Sequence, residues 1–229
     1  MTLWTLDDIK TKIKNDLDLT NETMITDAEL NGYINQAVQE AEQHVLTIYE
    51  DYLLQSAQLS VTSGTSDYDF PSNIYAHKIR RILYDDGTTK YEVQRLKDFK
   101  DIPYVQTTDY YRYKVVMNSS GDFKIKLFPT AQETSTTNFT IWFIGSANTL
   151  SASTDKMNIP EAAQFVVTKS KLECARKEGH PAQVALEQEV ERQRKLLVDT
   201  LTAMVPDEDN HIEPDMSFYW DFDPMRRRW

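Results

Sequence analysis

The hydrophobic period of this chain changes twice, and these changes constrain its fold more than any single motif. Near the start, Leu6, Ile9, Ile13 and Leu17 recur at helical spacing, followed by Leu30, Ile34, Ala37, Ala41, Val45 and Ile48. Each set forms one apolar stripe on a helix. From residue 54 the period drops to two. Ala57, Leu59 and Val61 alternate with Gln58, Ser60 and Thr62, as a half-buried strand requires. After Pro160 the helical spacing returns, in Ala163, Val167, Ser170 and Cys174 and again in Leu186, Val190, Leu197, Leu201 and Met204. A chain patterned this way is helical at both ends and β between them.

Local signals place the elements. Thr5 with Asp8 and Thr26 with Glu29 read as capping boxes, predicting helices over 5–17 and 27–50. Asn158 and Pro160 mark a third start. Gly179-His180-Pro181 ends that helix and begins a fourth. In the β part, Ser66-Asp67-Tyr68-Asp69-Phe70-Pro71 reads as a strand end, because Pro71 has no N–H to donate. Ile79 to Tyr84 is a second strand, and Asp86-Gly87 supplies positive-φ residues for a turn into a third near 89–95. Leu96 to Asp101 reads as a short helical turn. Tyr111, Tyr113, Val115 and Met117 pair as a hairpin with Phe123, Ile125 and Leu127 across the turn Asn118–Gly121. Phe139 to Ile144 is apolar on both faces, the mark of a central strand.

The fold expected from this pattern is α+β and mainly helical. Residues 1–53 and 156–205 form one bundle from N-terminal and C-terminal helix pairs. Residues 54–155 form an inserted antiparallel β segment, and 206–229 an extended C-terminal docking tail. Leu30, Ile34, Val45, Val167, Leu186, Val190 and Leu197 are expected to share the bundle core.

Composition narrows the function. The formal net charge is −11, from 36 acidic and 25 basic residues. Such a balance disfavours a general DNA clamp, which needs Lys and Arg to neutralise phosphates. Cys174 is the single cysteine, so no disulfide forms within the chain. Its place on a helical stripe makes it a small core residue. Met1-Thr2-Leu3-Trp4 has no basic region with an apolar run behind it, predicting no secretory leader. No apolar run approaches the roughly 20 residues of a membrane helix. The expectation is a soluble protein made in the cytoplasm, with no membrane partner.

The chain carries no Gly-rich phosphate loop, no Gly-x-Ser-x-Gly and no His-Glu-x-x-His. His44, His77, His180 and His211 are scattered. Glu40 and His44 lie one helical turn apart and read as a surface ion pair rather than two metal ligands. Tyr110-Tyr111-Arg112-Tyr113-Lys114 interleaves rings and bases as single-strand binders do, but reads first as a strand with tyrosines inward. No catalytic, cofactor or metal residue is predicted. The candidate site is the tail. There Asp207-Glu208-Asp209 precede Phe218, Tyr219, Trp220 and Phe222, and Arg226, Arg227, Arg228 and Trp229 follow. Large rings are costly in water and anchor interfaces, so these eight residues are expected to bind a partner.

The helical pair ending in Asp27-Ala28-Glu29-Leu30-Asn31-Gly32-Tyr33-Ile34-Asn35-Gln36-Ala37 is the first of three parts that carry a resemblance. The others are Tyr68-Asp69-Phe70-Pro71-Ser72-Asn73 with Ile79-Arg80-Arg81-Ile82, and Ile159-Pro160-Glu161-Ala162-Ala163 running through Gly179-His180-Pro181 to Glu191. In this order, over about residues 5–200, the chain resembles the head-to-tail adaptor (connector) proteins of tailed bacteriophages. The resemblance implies a non-enzymatic virion protein at the head–tail junction, without cofactor. It implies a homo-oligomeric ring, commonly of twelve copies, bound beneath the portal protein. Such a ring extends the DNA channel, receives tail or nozzle proteins, and lets DNA pass without specific binding. Two other readings stay open: another tail-completion or baseplate component, and a hydrolase whose site is not sequential.

Overall fold

The computed structural model describes residues 3–18, 24–98, 100 and 110–205. Helix α1 (Leu6–Leu17) and helix α2 (Asp27–Ile48) both begin at reciprocal capping boxes. The Thr5 N–H donates to Asp8 at 2.9 Å, and the Asp8 N–H returns a bond to the Thr5 hydroxyl at 3.1 Å. Thr26 and Glu29 repeat the exchange. Two of the orphan N–H groups at each helix start are thereby satisfied.

A short 3₁₀ turn, Glu50–Leu53, leads into the strands β1 (Leu54–Gln58), β2 (Asp67–Tyr68), β3 (Ile74–Asp85), β4 (Lys90–Arg95), β5 (Arg112–Met117), β6 (Phe123–Phe128) and β7 (Phe139–Gly145). A second 3₁₀ turn, Pro160–Ala162, precedes helices α3 (Ala163–Glu178) and α4 (Gln183–Met204). The strand at 89–95 and the hairpin strands lie where the alternation placed them. Gly87 takes φ +85° in the β3–β4 turn, and the Asp86 carboxylate accepts from the N–H groups of Thr88 and Thr89. Gly179, at φ +66°, closes α3.

The expectation of a mainly helical fold with an antiparallel insertion needs correction. Among the described residues helix makes up 43% and strand 26%, with four α-helices beside a curled seven-stranded mixed sheet. The sheet order is β1-β7-β3-β4-β5-β6-β2. One junction is parallel: β4 meets β5 through Gln94 opposite Arg112 and Arg95 opposite Tyr113. The pattern misled for a physical reason. Helical stripes are contiguous and announce themselves, whereas these strands are short and find partners far along the chain. β1 pairs with β7, placing Leu54 opposite Ile144 and Gln58 opposite Thr140. β7 is indeed interior, bonded to β1 on one side and β3 on the other. The parallel contact follows because the long connection between β4 and β5 returns the chain in the same direction, as a two-residue hairpin cannot.

Two hydrophobic cores result. The helical core gathers Leu30, Ile34, Val45, Val167, Val190 and Leu197, with Leu186 half-buried against it. α3 lies at its centre and buries Phe165, Val166, Val167, Leu172 and Cys174 on several sides. The buried Ser170 hydroxyl there donates to the Val166 carbonyl at 2.8 Å. The sheet core gathers Ile82, Val93, Tyr113, Ile125, Leu127, Phe139, Ile141 and Phe143. β7 serves both, because successive side chains on a strand point to opposite faces. Phe139, Ile141 and Phe143 enter the sheet core, while Ile144 enters the helical core.

Ile34→Ala and Ile141→Ala, one in each core, should each cost ~2–5 kcal/mol. Since β7 joins the cores, chemical denaturation followed by helical circular dichroism and by tryptophan fluorescence should show coincident transitions for both variants. Separated transitions would show that the cores unfold independently.

Candidate interaction surfaces

The tail residues singled out from the sequence, Phe218, Tyr219, Trp220, Phe222, Arg226, Arg227, Arg228 and Trp229, lie outside the described residues. The element that leads to them is described. Ion pairs fix its direction. Lys177 near the end of α3 bonds Glu29 at the start of α2, and Lys169 reaches Glu40, so α2 and α3 are antiparallel. Arg176 meets Glu187 across the α3–α4 hairpin, and Arg194 also reaches Glu40. α4 therefore runs parallel to α2, and Val205 leaves the bundle at the end where α2 stops. The last residues there, Met204 and Val205, are 42% and 37% exposed.

At that same end, the 3₁₀ turn after α2 touches the sheet. Glu50 pairs with Lys78 at 2.9 Å and Arg80 at 2.7 Å, and Arg80 also pairs with Asp51. These cations sit on an irregular part of β3. Between Ile74 and Arg81 the register against β7 shifts twice, and Ala76 and His77 take φ +46° and +56°. Two consecutive non-glycine residues in the left-handed region cost of order 1–2 kcal/mol each. The bulge is held by its neighbours. The His77 ring packs between Phe70, centroid distance 4.9 Å, and Phe123, at 4.5 Å. A groove of about 440 Å³ opens beside it, lined by His77, Lys78, Arg80, Arg95, Tyr113 and Phe123 among others. Sequence reasoning took Ile79 to Tyr84 as plain strand and missed this site. The available signal was Ile74-Tyr75-Ala76-His77-Lys78-Ile79, whose apolar residues break the period of two.

The other flagged side chains have structural settings. Glu40 pairs with Lys169 and Arg194, not with His44, whose ring meets Phe165 edge-on at 5.9 Å. The expected Glu40–His44 ion pair is thus replaced by contacts between helices. Cys174 is buried, and that burial pushes its thiol up to about 12. The Ala182 N–H donates to His180 Nδ1, so this ring caps the turn into α4. Tyr111 and Tyr113 are buried and Tyr110 is exposed. Among the described residues, no group of three His, Cys, Asp or Glu is placed to hold a metal ion.

Glu42 is the buried carboxyl of the molecule's helix–sheet joint. It accepts the Ala147 N–H in a cleft lined by Asn35, Gln39, Gln43, Ser146, Asn148 and Thr149. No cation lines that cleft, so burial raises its pKa above the usual Glu value, opposed by the Ala147 N–H. An acid whose folded pKa is raised contributes fully below its unfolded pKa and loses that contribution as pH rises through the folded value. Glu42→Gln keeps the acceptor and removes the charge. The variant should therefore gain stability over the parent at neutral pH, and the gap should close below about pH 4. Melting temperatures of both proteins from pH 3.5 to 8 test this, and a gap independent of pH would contradict it.

No curated protein matches the chain. A family model described as SU10 adaptor protein matches residues 4–207, which takes in the four helices and seven strands of the described residues and stops where the acidic and aromatic tail begins. With the helical core, the sheet and their joint all inside that match, the chain belongs to the SU10 adaptor protein family, a family of phage head–tail adaptors and thus of structural virion proteins.

Proposed function

We propose that this protein is a head-to-tail adaptor subunit that binds the portal protein, extends the DNA channel beneath it and offers the attachment site for tail or nozzle proteins. Family membership over residues 4–207 is the observation that carries the reading. In this reading the subunits form a ring, commonly of twelve copies in similar proteins, whose closure needs head-to-tail contacts between unlike faces. The working division is a helical bundle of 1–53 and 156–205, a β part of 54–155 and a docking tail of 206–229. The two separate hydrophobic cores support it.

DNA passes through without specific binding. The charge of −11 supports this, as does the pairing of sheet cations with carboxylates. Lys124 bonds Asp69, Lys126 meets Asp67 at 3.4 Å, and Lys78 and Arg80 meet Glu50. Cations held this way release few counterions from DNA.

The tail is the anchor on the portal. Its aromatic residues, Phe218, Tyr219, Trp220, Phe222 and Trp229, suit apolar pockets between neighbouring portal subunits. Arg226, Arg227 and Arg228 suit carboxylates around those pockets. Met204 and Val205, the last described residues before the tail, are exposed at the end of α4. Truncation after Pro206 should leave a folded protein that no longer joins portal-bearing heads in a sedimentation assay. Wild-type attachment by the truncated protein would remove the tail from this role. Attachment to isolated tails or baseplates but not to heads would favour a tail-completion component.

A further inference from the structure

We propose that the groove beside the β3 bulge is the seat of the acidic first part of the same chain's tail, residues 207–215. The groove has one cation without a described carboxylate partner, Arg95, because Lys78 and Arg80 are matched by Glu50 and Asp51. Lys78, Arg80 and Arg95 line it, and Glu50 is its one carboxylate. Glu50 is already committed to Lys78 and Arg80. Among the described residues, no carboxylate pairs with Arg95. A guanidinium at an open groove, within a chain of charge −11, is a fork-shaped site for a carboxylate.

The segment that follows α4 has the complementary charge. Asp207, Glu208, Asp209, Glu213 and Asp215 fall within nine residues that contain no Lys or Arg. Ile212 and Pro214 between them match the apolar side of the groove, made by Val115 and Phe123. Position makes the contact reachable. Val205 leaves the bundle where α2 ends, and Glu50, just beyond α2, touches the groove cations directly. Ten residues from Val205 to Asp215 span up to ~33 Å when extended.

The bulge gives the seat its shape. Ala76 and His77 hold left-handed backbone, and Phe70 and Phe123 pack on the His77 ring. Lys78 and Arg80 follow directly, pair with Glu50 and line the groove. Backbone strain of this kind is retained where the surroundings fix it and a site uses it. Seating the acidic stretch would set the point from which residues 218–229 leave the subunit, a use that rests on the reading of those residues as the portal anchor.

Zero-length carbodiimide coupling of the full chain, read by peptide mass spectrometry, tests the seat. Lys78 should join carboxylates of 207–215 as well as Glu50, whose 2.9 Å pair serves as an internal control. Tail products should vanish in 1 M NaCl, where screening acts over about 3 Å. Arg95→Glu should lower them roughly tenfold, a loss of about 1.4 kcal/mol in pairing. Adding Asp207→Lys, Glu208→Lys and Asp209→Lys to that variant should restore the contact, read as coupling of the new amines to the introduced carboxylate. Unchanged circular dichroism of each variant shows that the fold is kept.

Glu50 products without tail products would overturn the proposal. So would tail products that join only labelled to unlabelled chains in a mixed-isotope sample, because the occupant would then be a second copy. Tail products insensitive to Arg95→Glu, with loss of retention on a short duplex DNA instead, would assign the groove to phosphate and also overturn it. The head-attachment assay reads the aromatic end of the tail. Missing tail products with attachment intact would therefore sink the seat and leave the anchor standing.

Discussion

The pleat of β7 is the constraint on which the rest of the structure depends. A strand must send alternate side chains to opposite faces, and here the two faces meet different cores. Phe139, Ile141 and Phe143 close the sheet core, and Ile144 closes the helical one. A shift of one residue in register would exchange these faces. β7 is also bonded on both edges, to β1 and β3, so its register fixes three strands at once. The chain after it stays tied to the joint. Ala147 donates to Glu42, and Leu150 donates to the Asn35 side chain at 2.8 Å. Asp155 and Trp4 then bond backbone to backbone with the start of α1 and with Met157.

Charge organises the helices around α2. That helix contains Asp27, Glu29, Glu40 and Glu42 and no Lys or Arg. Its partners come from other elements: Lys14 from α1, Lys169 and Lys177 from α3, and Arg194 from α4. Exposed pairs of this kind contribute only about 0–1 kcal/mol each. Their effect is on direction. Each pair is available in one arrangement of neighbours, so the set favours α3 antiparallel and α4 parallel to α2. The direction of α4 decides in turn that Val205 lies at the end of the bundle where α2 stops.

The packed cores, which the family match covers, hold the helices and the sheet together. The left-handed residues Ala76 and His77 and the groove they line lie on the sheet, next to the turn that follows α2. The interior charge at Glu42 lies within the joint and not in that groove.

The four described helices, the capping boxes of α1 and α2 and the β5–β6 hairpin follow from the sequence alone. Periodicity and caps are local properties, and Thr5, Thr26, Gly87 and Gly179 act within a few residues of themselves. The family was legible for the same reason, since its motifs are contiguous and ordered. The sheet was not. Its order, its parallel β4–β5 step and the placing of β7 between β1 and β3 depend on contacts up to ninety residues apart, which no local pattern encodes. Glu42 was not singled out from the sequence, and its partner Ala147 arrives from just beyond β7, 105 residues further along the chain. The groove was hidden likewise. Lys78, Arg80 and Arg95 stand on two strands, and only the bulge at Ala76 and His77 brings them to one opening. What the sequence determined was which segments coil and which extend. What only the tertiary structure decided was which distant charges and rings face one another, because that depends on long-range packing and strand register rather than on neighbours in the chain.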